Sequence, residues 1–278
     1  MKHDYSLAHL TVLSLPPPQM IDVAARTGYR YASLRITRVT PADPLYDLAR
    51  DRALLRETKA RLAATGIELH DVELFRMDPS LEPEQFVREL DATAELGARH
   101  IIAQLPDPDR GRAIDRFARL CDLAKPLGIH VNLEFPHWTE TGNLAEATRV
   151  VRAVDRSNAG ILVDMLHMGR SNSSIEDLAA LPRQWFHFAH VCDAERSVPS
   201  TLDHMIHTAR DERLFPGEGT IDVHGILACL PQDIPYSLEI PRVTLTKAVG
   251  PEEVARLALK VARSHLDELH ESMVATVQ

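Results

Sequence analysis

A single (β/α)8 barrel spanning residues 1–278 is the fold this sequence predicts, and three observations predict it. Eight short, apolar, β-like runs succeed one another along the chain. Most of the intervals between them carry helical periodicity, and strands alternating with helices build parallel β/α units. The 278 residues hold one such barrel, which typically needs about 250.

Taken in order, the runs are SLAHLTVL, YRYASLRI, IELHDVELF, HIIAQLP, HVNLEFP, AGILVDMLH, WFHFAHVCD and YSLEIP. The third alternates least cleanly. Before the fourth lies PEQFVRELDATAELG, where Phe86, Val87, Leu90 and Ala94 share one helical side and Gly97 closes the helix. After the eighth, EEVARLALKVARSHLDEL repeats the pattern through Val254, Leu257, Ala258 and Val261. The stretch Asp193–Glu212 exceeds an ordinary β/α connection, and long connections in compact domains often cover sites, so it is expected to close partly over the barrel mouth. His204 and His207, three apart within it, would share a helical face as additional ligands or simply be surface residues.

Glu134, Asp164, His190 and Glu239 each fall near the end of a different run. Period-two alternation turns Val131, Leu133 and Phe135 outward and Asn132 and Glu134 inward. The same rule turns Asp164 inward between Val163 and Met165, His190 between Ala189 and Val191, and Glu239 between Leu238 and Ile240. Catalytic groups of such barrels project from the C-terminal ends of several strands, so residues scattered along the sequence converge in space. A lone carboxylate at a strand end is as often a cap or a loop residue. Three inward carboxylates in one mouth would repel, and a divalent cation is their natural counter-charge. Three oxygen donors with one imidazole suit Mn²⁺, Mg²⁺ or Co²⁺, and zinc is also compatible.

The ordered set NLEFPHW, ILVDMLHMGR, HFAHVCDAE, RLFPGEGTIDVHGIL and YSLEIPR resembles the xylose isomerase-like TIM-barrel superfamily over nearly the whole chain. That group includes sugar isomerases and epimerases, inosose and 3-dehydroshikimate dehydratases, and endonuclease IV. The resemblance implies that Glu134, Asp164, His190 and Glu239 bind a catalytic metal, with Glu134 and Glu239 also serving as the acid/base pair. It adds His167 from the DxxH step as a catalytic group and Arg213, four residues before the glycine of the PGEG turn, as a substrate anchor. The expected chemistry is isomerisation or epimerisation of a sugar, a sugar derivative or a related hydroxy-ketone through an enediolate. The alternative is a metal-dependent dehydratase, a carbon–oxygen lyase acting on a cyclic hydroxy-keto acid or an inosose.

Alternation also aims His9 and Arg35 at the mouth, and many relatives carry an acidic residue where Arg35 stands. With Arg213 it would suit a substrate carboxylate or phosphate. An equally direct reading pairs Arg35 with Asp71 or Glu73 of the neighbouring strand. His137 and Trp138, just after Glu134, are expected to line the pocket, though Trp138 serves equally as rim packing.

The formal net charge of −9 works against nucleic-acid and anionic-membrane partners. A DNA-directed role would further need a histidine-rich multi-metal cluster and a basic face. A small-molecule substrate is the expected partner, and the resemblance is compatible with a homo-oligomer. Cys121, Cys192 and Cys229 show no CxxC spacing, so neither a disulfide framework nor a thiolate metal site is indicated. With no signal-like or membrane-length apolar segment, the cytoplasm is the expected location.

Overall fold

The chain was described from a computed structural model covering residues 3–267. Nine parallel strand segments form one sheet: β1 (Tyr5–Leu7), β2 (Tyr31–Arg35), β3 (Glu68–Arg76), β4 (His100–Gln104), β5 (His130–Leu133), β6 (Ala159–Ile161), β7 (Val163–Asp164), β8 (Ala189–Val191) and β9 (Tyr236–Leu238). Their order is β6-β5-β4-β3-β2-β1-β9-β8-β7. The two ends of that order, β6 and β7, are halves of one strand interrupted only at Leu162, whose N–H still donates to the Leu133 carbonyl at 3.0 Å. The sheet is therefore a nearly closed barrel with eight strand positions, as the eight runs predict.

Helices fill the intervals, among them Pro17–Thr27, Arg52–Thr65, Arg110–Ala124, Leu144–Val154 and Pro251–Ala262. Their starts follow local chemistry. Asp51, Asp109 and Asn143 each cap a helix by accepting from backbone N–H groups of its first turn, supplying partners those donors would otherwise lack. The main apolar core lies between the strands and this helical ring.

Two local expectations are corrected. The first run is strand only over Tyr5–Leu7; His9–Val12 forms a 3₁₀ helix, so its apolar residues are buried by a turn and not by a pleat. In the segment before β4, a 3₁₀ lead-in at Pro83–Phe86 shifts the phase of the following helix Val87–Glu95. Val87 is consequently 39% exposed, while Leu90 is buried and Phe86 and Ala94 pack on the core. In the last helix Val254 and Ala258 are buried as expected, with Leu257 and Val261 packed against the core; the end of that pattern, Glu268 and Leu269, lies outside the described residues.

The barrel interior has two further layers. Leu74, Ile102, Leu162 and Phe188 form a small apolar cluster of their own. At the strand starts, His70, His100, His130 and His187 lie ring against ring, with centroids 4.8 Å apart for His70–His100, 5.4 Å for His100–His130 and 4.3 Å for His130–His187. Gly160 makes room for this floor, since a Cβ there would lie 2.5 Å from the Trp185 carbonyl oxygen and 2.8 Å from the His187 ring.

Candidate functional site

Four consecutive strand positions on one side of the barrel deliver the proposed ligands. Glu134 directly follows β5 and keeps its ladder bond, N–H to the Ala103 carbonyl at 2.9 Å. Asp164 ends β7 and caps the next helix, Met165–Arg170, by accepting from the His167 N–H at 3.1 Å. His190 is the middle residue of β8, and Glu239 follows β9. All four are buried, and one ligand atom from each lies within 4.8 Å of the others.

His190 is the centre of this group. Its Nδ1 stands 3.3 Å from Glu239 Oε2, 3.6 Å from Asp164 Oδ2 and 3.7 Å from Glu134 Oε1, yet neither ring nitrogen makes a hydrogen bond. Burial disfavours the imidazolium, but the facing Glu239, Asp164 and Glu134 carboxylates hold its pKa well above the usual value. Arg213 completes the charge pattern from behind. Its Nη1 donates to Asp164 Oδ2 at 2.6 Å, its Nη2 lies 2.7 Å from Glu239 Oε2, and its Nε donates to the Ala209 carbonyl at 2.8 Å. Against the cost of burial, Arg213 and His190 draw Glu239 down to about 2.

A cavity opens over the cluster, lined by Glu134, His167, Arg213 and Glu239, with Arg35, Glu73, Gln104 and Trp138 around them. The structure thus brings together eight of the ten residues singled out from the sequence, in cavity wall or metal cluster. The other two stand behind the wall. His9 sits on the 3₁₀ turn, accepting the Arg35 N–H at Nδ1 (3.0 Å) with Nε2 against the Leu15 carbonyl (2.9 Å). His137 lies with Nδ1 3.1 Å from Nδ1 of His167. Arg35 is bound to Glu73, Nη2 to Oε2 at 2.8 Å, which is the second of the two sequence readings.

The second half of the stretch Asp193–Glu212 is the helix Leu202–Asp211, whose Ile206, Ala209 and Arg210 form part of the cavity wall. His207 pairs with Asp211 on the exposed side, and both His204 and His207 stand apart from the cavity lining. Asp193 organises the turn leading back to β9. Its carboxylate accepts from the N–H groups of Ala194, Gly217, Gly219 and Ile221 at 2.7 to 3.3 Å. A Cβ on Gly219 would lie 2.4 Å from both the Ala194 carbonyl and Asp193 Oδ1, so this close wrap requires glycine.

Sequence reasoning missed Gln104, whose amide donates to Glu134 Oε2 at 2.5 Å. Alternation along HIIAQ, with Ile102 inward, was the available signal. Among the described residues no helix is long and apolar enough to cross a membrane.

Comparison with known proteins places the barrel. A family model described as a xylose isomerase-like TIM barrel matches residues 21–265. An inosose isomerase of Bacillus licheniformis is 28% identical over 165 residues, 55% of this chain and 56% of that protein, so the chain spans about half the length of that relative. A 3-dehydroshikimate dehydratase of Pseudomonas aeruginosa is 29% identical over 115 residues, 41% of this chain and 18% of that one. Among solved structures, an IolI protein with a bound zinc atom superposes with a TM-score of 0.79 over 96% of this chain and 99% of that chain, at 20% identity. With the matched family model covering most of a nearly closed parallel barrel, the chain belongs to the xylose isomerase-like TIM-barrel family.

Proposed function

We propose that the chain is a divalent-metal-dependent isomerase or epimerase acting on a sugar, a sugar derivative or a related hydroxy-ketone. The observation that carries this reading is the buried His190 ring, hydrogen-bonded at neither nitrogen and facing three carboxylates. Glu134, Asp164, His190 and Glu239 would hold the ion, a donor set that suits Mn²⁺, Mg²⁺, Co²⁺ or Zn²⁺. The local charge fits as well. With His190 neutral, the form in which an imidazole ligates, Glu73, Glu134, Asp164 and Glu239 as carboxylates face two buried guanidinium groups, Arg35 and Arg213, a deficit that one divalent cation would cancel. When bound, such an ion supplies Lewis-acid stabilisation for the negative charge that develops on substrate oxygens as an α-proton leaves.

The remaining work falls to the chain's own groups. Glu239, kept ionised beside Arg213, is set to accept a proton, and Glu134, oriented by the Gln104 amide, faces the same cavity to return one. His167, held neutral by burial, is suited to hydrogen-bond a substrate oxygen without adding charge. Arg213 orients two of the proposed ligands and so positions the acid/base pair as well as lining the cavity. Trp138 contributes an apolar wall. The similarity to a dehydratase supports a second reading, in which the same proton abstraction is followed by loss of a β-hydroxyl. The isomerase reading is preferred because the similarity to an inosose isomerase spans more of the chain than that to the dehydratase and because Glu73 faces the cavity, where a substrate carboxylate would be repelled.

Elemental analysis of purified protein is the direct test. One divalent ion per chain is expected, lost in Glu134→Ala and in Asp164→Ala, together with solvent deuterium entering a hydroxy-ketone substrate without loss of water. Absence of any ion under metal-replete conditions would sink the reading; release of water with an unsaturated product would select the lyase.

A further inference from the structure

We propose that Arg35 and Glu73 form a diol-binding subsite that selects an uncharged polyhydroxylated substrate over one bearing a carboxylate or phosphate, an inference that rests on the hydroxy-ketone reading of the same cavity. The pair is joined by a single contact, Nη2 to Oε2 at 2.8 Å, and both side chains are almost wholly buried, at 4% and 2% exposure. That leaves Arg35 Nε and Nη1 and Glu73 Oε1 buried with no partner at all. Unmet polar atoms in such a place are costly, and both residues line the cavity beside Glu134, Glu239 and His167.

The unmet atoms specify their ligand. Arg35 offers donors only; burial raises the pKa of Glu73, Arg35 opposes that rise, and in the carboxylate form that this contact favours, Glu73 offers an acceptor only. A hydroxyl group does both jobs, so adjacent hydroxyls on one carbon skeleton would satisfy the pair together, one accepting from Arg35 and its neighbour donating to Glu73 Oε1. A carboxylate or phosphate would meet Arg35 but would bring acceptors and negative charge against Glu73, with Glu134 and Glu239 in the same cavity. Arg35 is therefore not a spare cation; Glu73 has already neutralised it.

The subsite is also fixed in place. The Arg35 N–H donates to His9 Nδ1, which leaves Nε2 to carry the proton and donate to the Leu15 carbonyl. The His9 ring is stacked on Tyr46 with centroids 5.3 Å apart. A backbone held this way presents the guanidinium without reorganisation, the condition for discriminating ligands by hydrogen-bond complementarity.

Calorimetric titration of the metal-replete full chain with myo-inositol and with shikimate tests this directly. The intact protein should bind myo-inositol at least about tenfold more tightly than shikimate. Glu73→Gln should weaken myo-inositol about tenfold or more, as expected for losing a hydrogen bond to a charged group, and strengthen shikimate, reversing the order. The double change Arg35→Met with Glu73→Met removes both charges and should lose myo-inositol affinity with no gain for shikimate; it also guards against a single variant that fails to fold. Preference of the intact protein for shikimate, uptake of neither probe, or unchanged myo-inositol affinity in the variants would overturn the proposal. Deuterium exchange into a hydroxy-ketone separates the two readings. Exchange with an unaltered probe order removes the diol subsite alone, whereas the expected probe order without exchange removes the isomerase and leaves the subsite.

Discussion

Thr11 fixes the peptide units on both sides of Glu239: its hydroxyl donates to the Leu238 carbonyl and accepts from the Ile240 N–H, each at 2.8 Å. β9 ends at Leu238, so the Ile240 N–H has no ladder partner beyond the strand end and depends on the threonine, while the Leu238 carbonyl also accepts from the Ala8 N–H at 3.3 Å. Thr11→Val keeps the shape and removes both bonds. It should cost about 1–3 kcal/mol, from the buried Ile240 N–H left unmet, with a fall in Tm of a few degrees and weaker retention of the proposed ion; unchanged Tm would show that solvent replaces the hydroxyl. At this scale the sequence was most legible where alternation alone decides the outcome. Glu134, Asp164, His190 and Glu239 all converge as their strand positions imply. Gln104 and Thr11 were not legible in the same way, because their roles come from partners 30 and more than 200 residues distant, whereas Glu73 was legible only as one of two partners for Arg35. The ambiguity at Arg35 had the same origin: alternation gives the direction of a side chain, not the charge that awaits it.

The helix Leu202–Asp211 shows what an element adds. It lies against the cavity, and two arginines tie it down: Arg210 reaches Asp43 at 2.7 and 2.8 Å, and Arg213 holds the Ala209 carbonyl near its C-terminal end. Because the same Arg213 grips Asp164 and Glu239, closure of the helix and order in the ligand cluster are mechanically linked. Asp43→Ala should raise KM for substrate about fivefold with kcat within about twofold, and should speed proteolysis within residues 193–212. Equal KM values in the two proteins would remove the latch. Burial opposes ionisation of Asp43, yet its bonds to Thr40 and Arg210 hold its pKa below the usual carboxylate value. Its contribution is therefore present at and above that value and is lost as pH falls through the lowered one. The sequence indicated that this stretch would cover the mouth but gave no register for the helix, so His204 and His207 suggested ligands that the fold leaves outside. The first run failed for a related reason: its apolar residues satisfy a 3₁₀ turn as well as a strand, and only pairing distinguishes them.

Across the whole molecule, the two ends of the barrel carry opposite chemistry. At the floor, burial holds His100 down to about 2 and His187 to about 4, and lowers His130, with Arg99 adding to the effect on His100 and His130. The other titratable groups facing them are Tyr31 and Asp71, both beside His70, and Asn132 Oδ1 lies 2.7 Å from His187 Nδ1. For imidazoles depressed in the folded state, the stabilising contribution is complete above the unfolded value near 6.5 and is lost as pH falls from there toward the folded values. By linkage His100 and His187, kept neutral at pH 5, each contribute on the order of 2 kcal/mol less there than at pH 7. His9 and His137, likewise held neutral by burial, steepen the same slope, so a variant comparison is needed to isolate the floor. His100→Phe, which retains a stacking ring, should flatten the decline in denaturation free energy between pH 7 and 5; an identical slope would remove the floor as its source. No sequence pattern announced this floor, because each histidine belongs to a different strand and only barrel closure assembles them. The fold itself was legible because strand spacing and helical periodicity are local, while closure follows from their number. Between floor and mouth lies the apolar layer of Leu74, Ile102, Leu162 and Phe188. Phe188 touches His70 and His100 on one side and His190 on the other, and Ile102 separates His100 from Gln104 along β4. Those four side chains carry no polar group, so they part the histidines from the carboxylates over their share of the barrel section, while Asn132, level with Ile102 and 2.7 Å from His187 Nδ1, fills another share with an amide. The acid tolerance of the fold can therefore be tuned by substitutions at the floor that leave every carboxylate of the mouth in place.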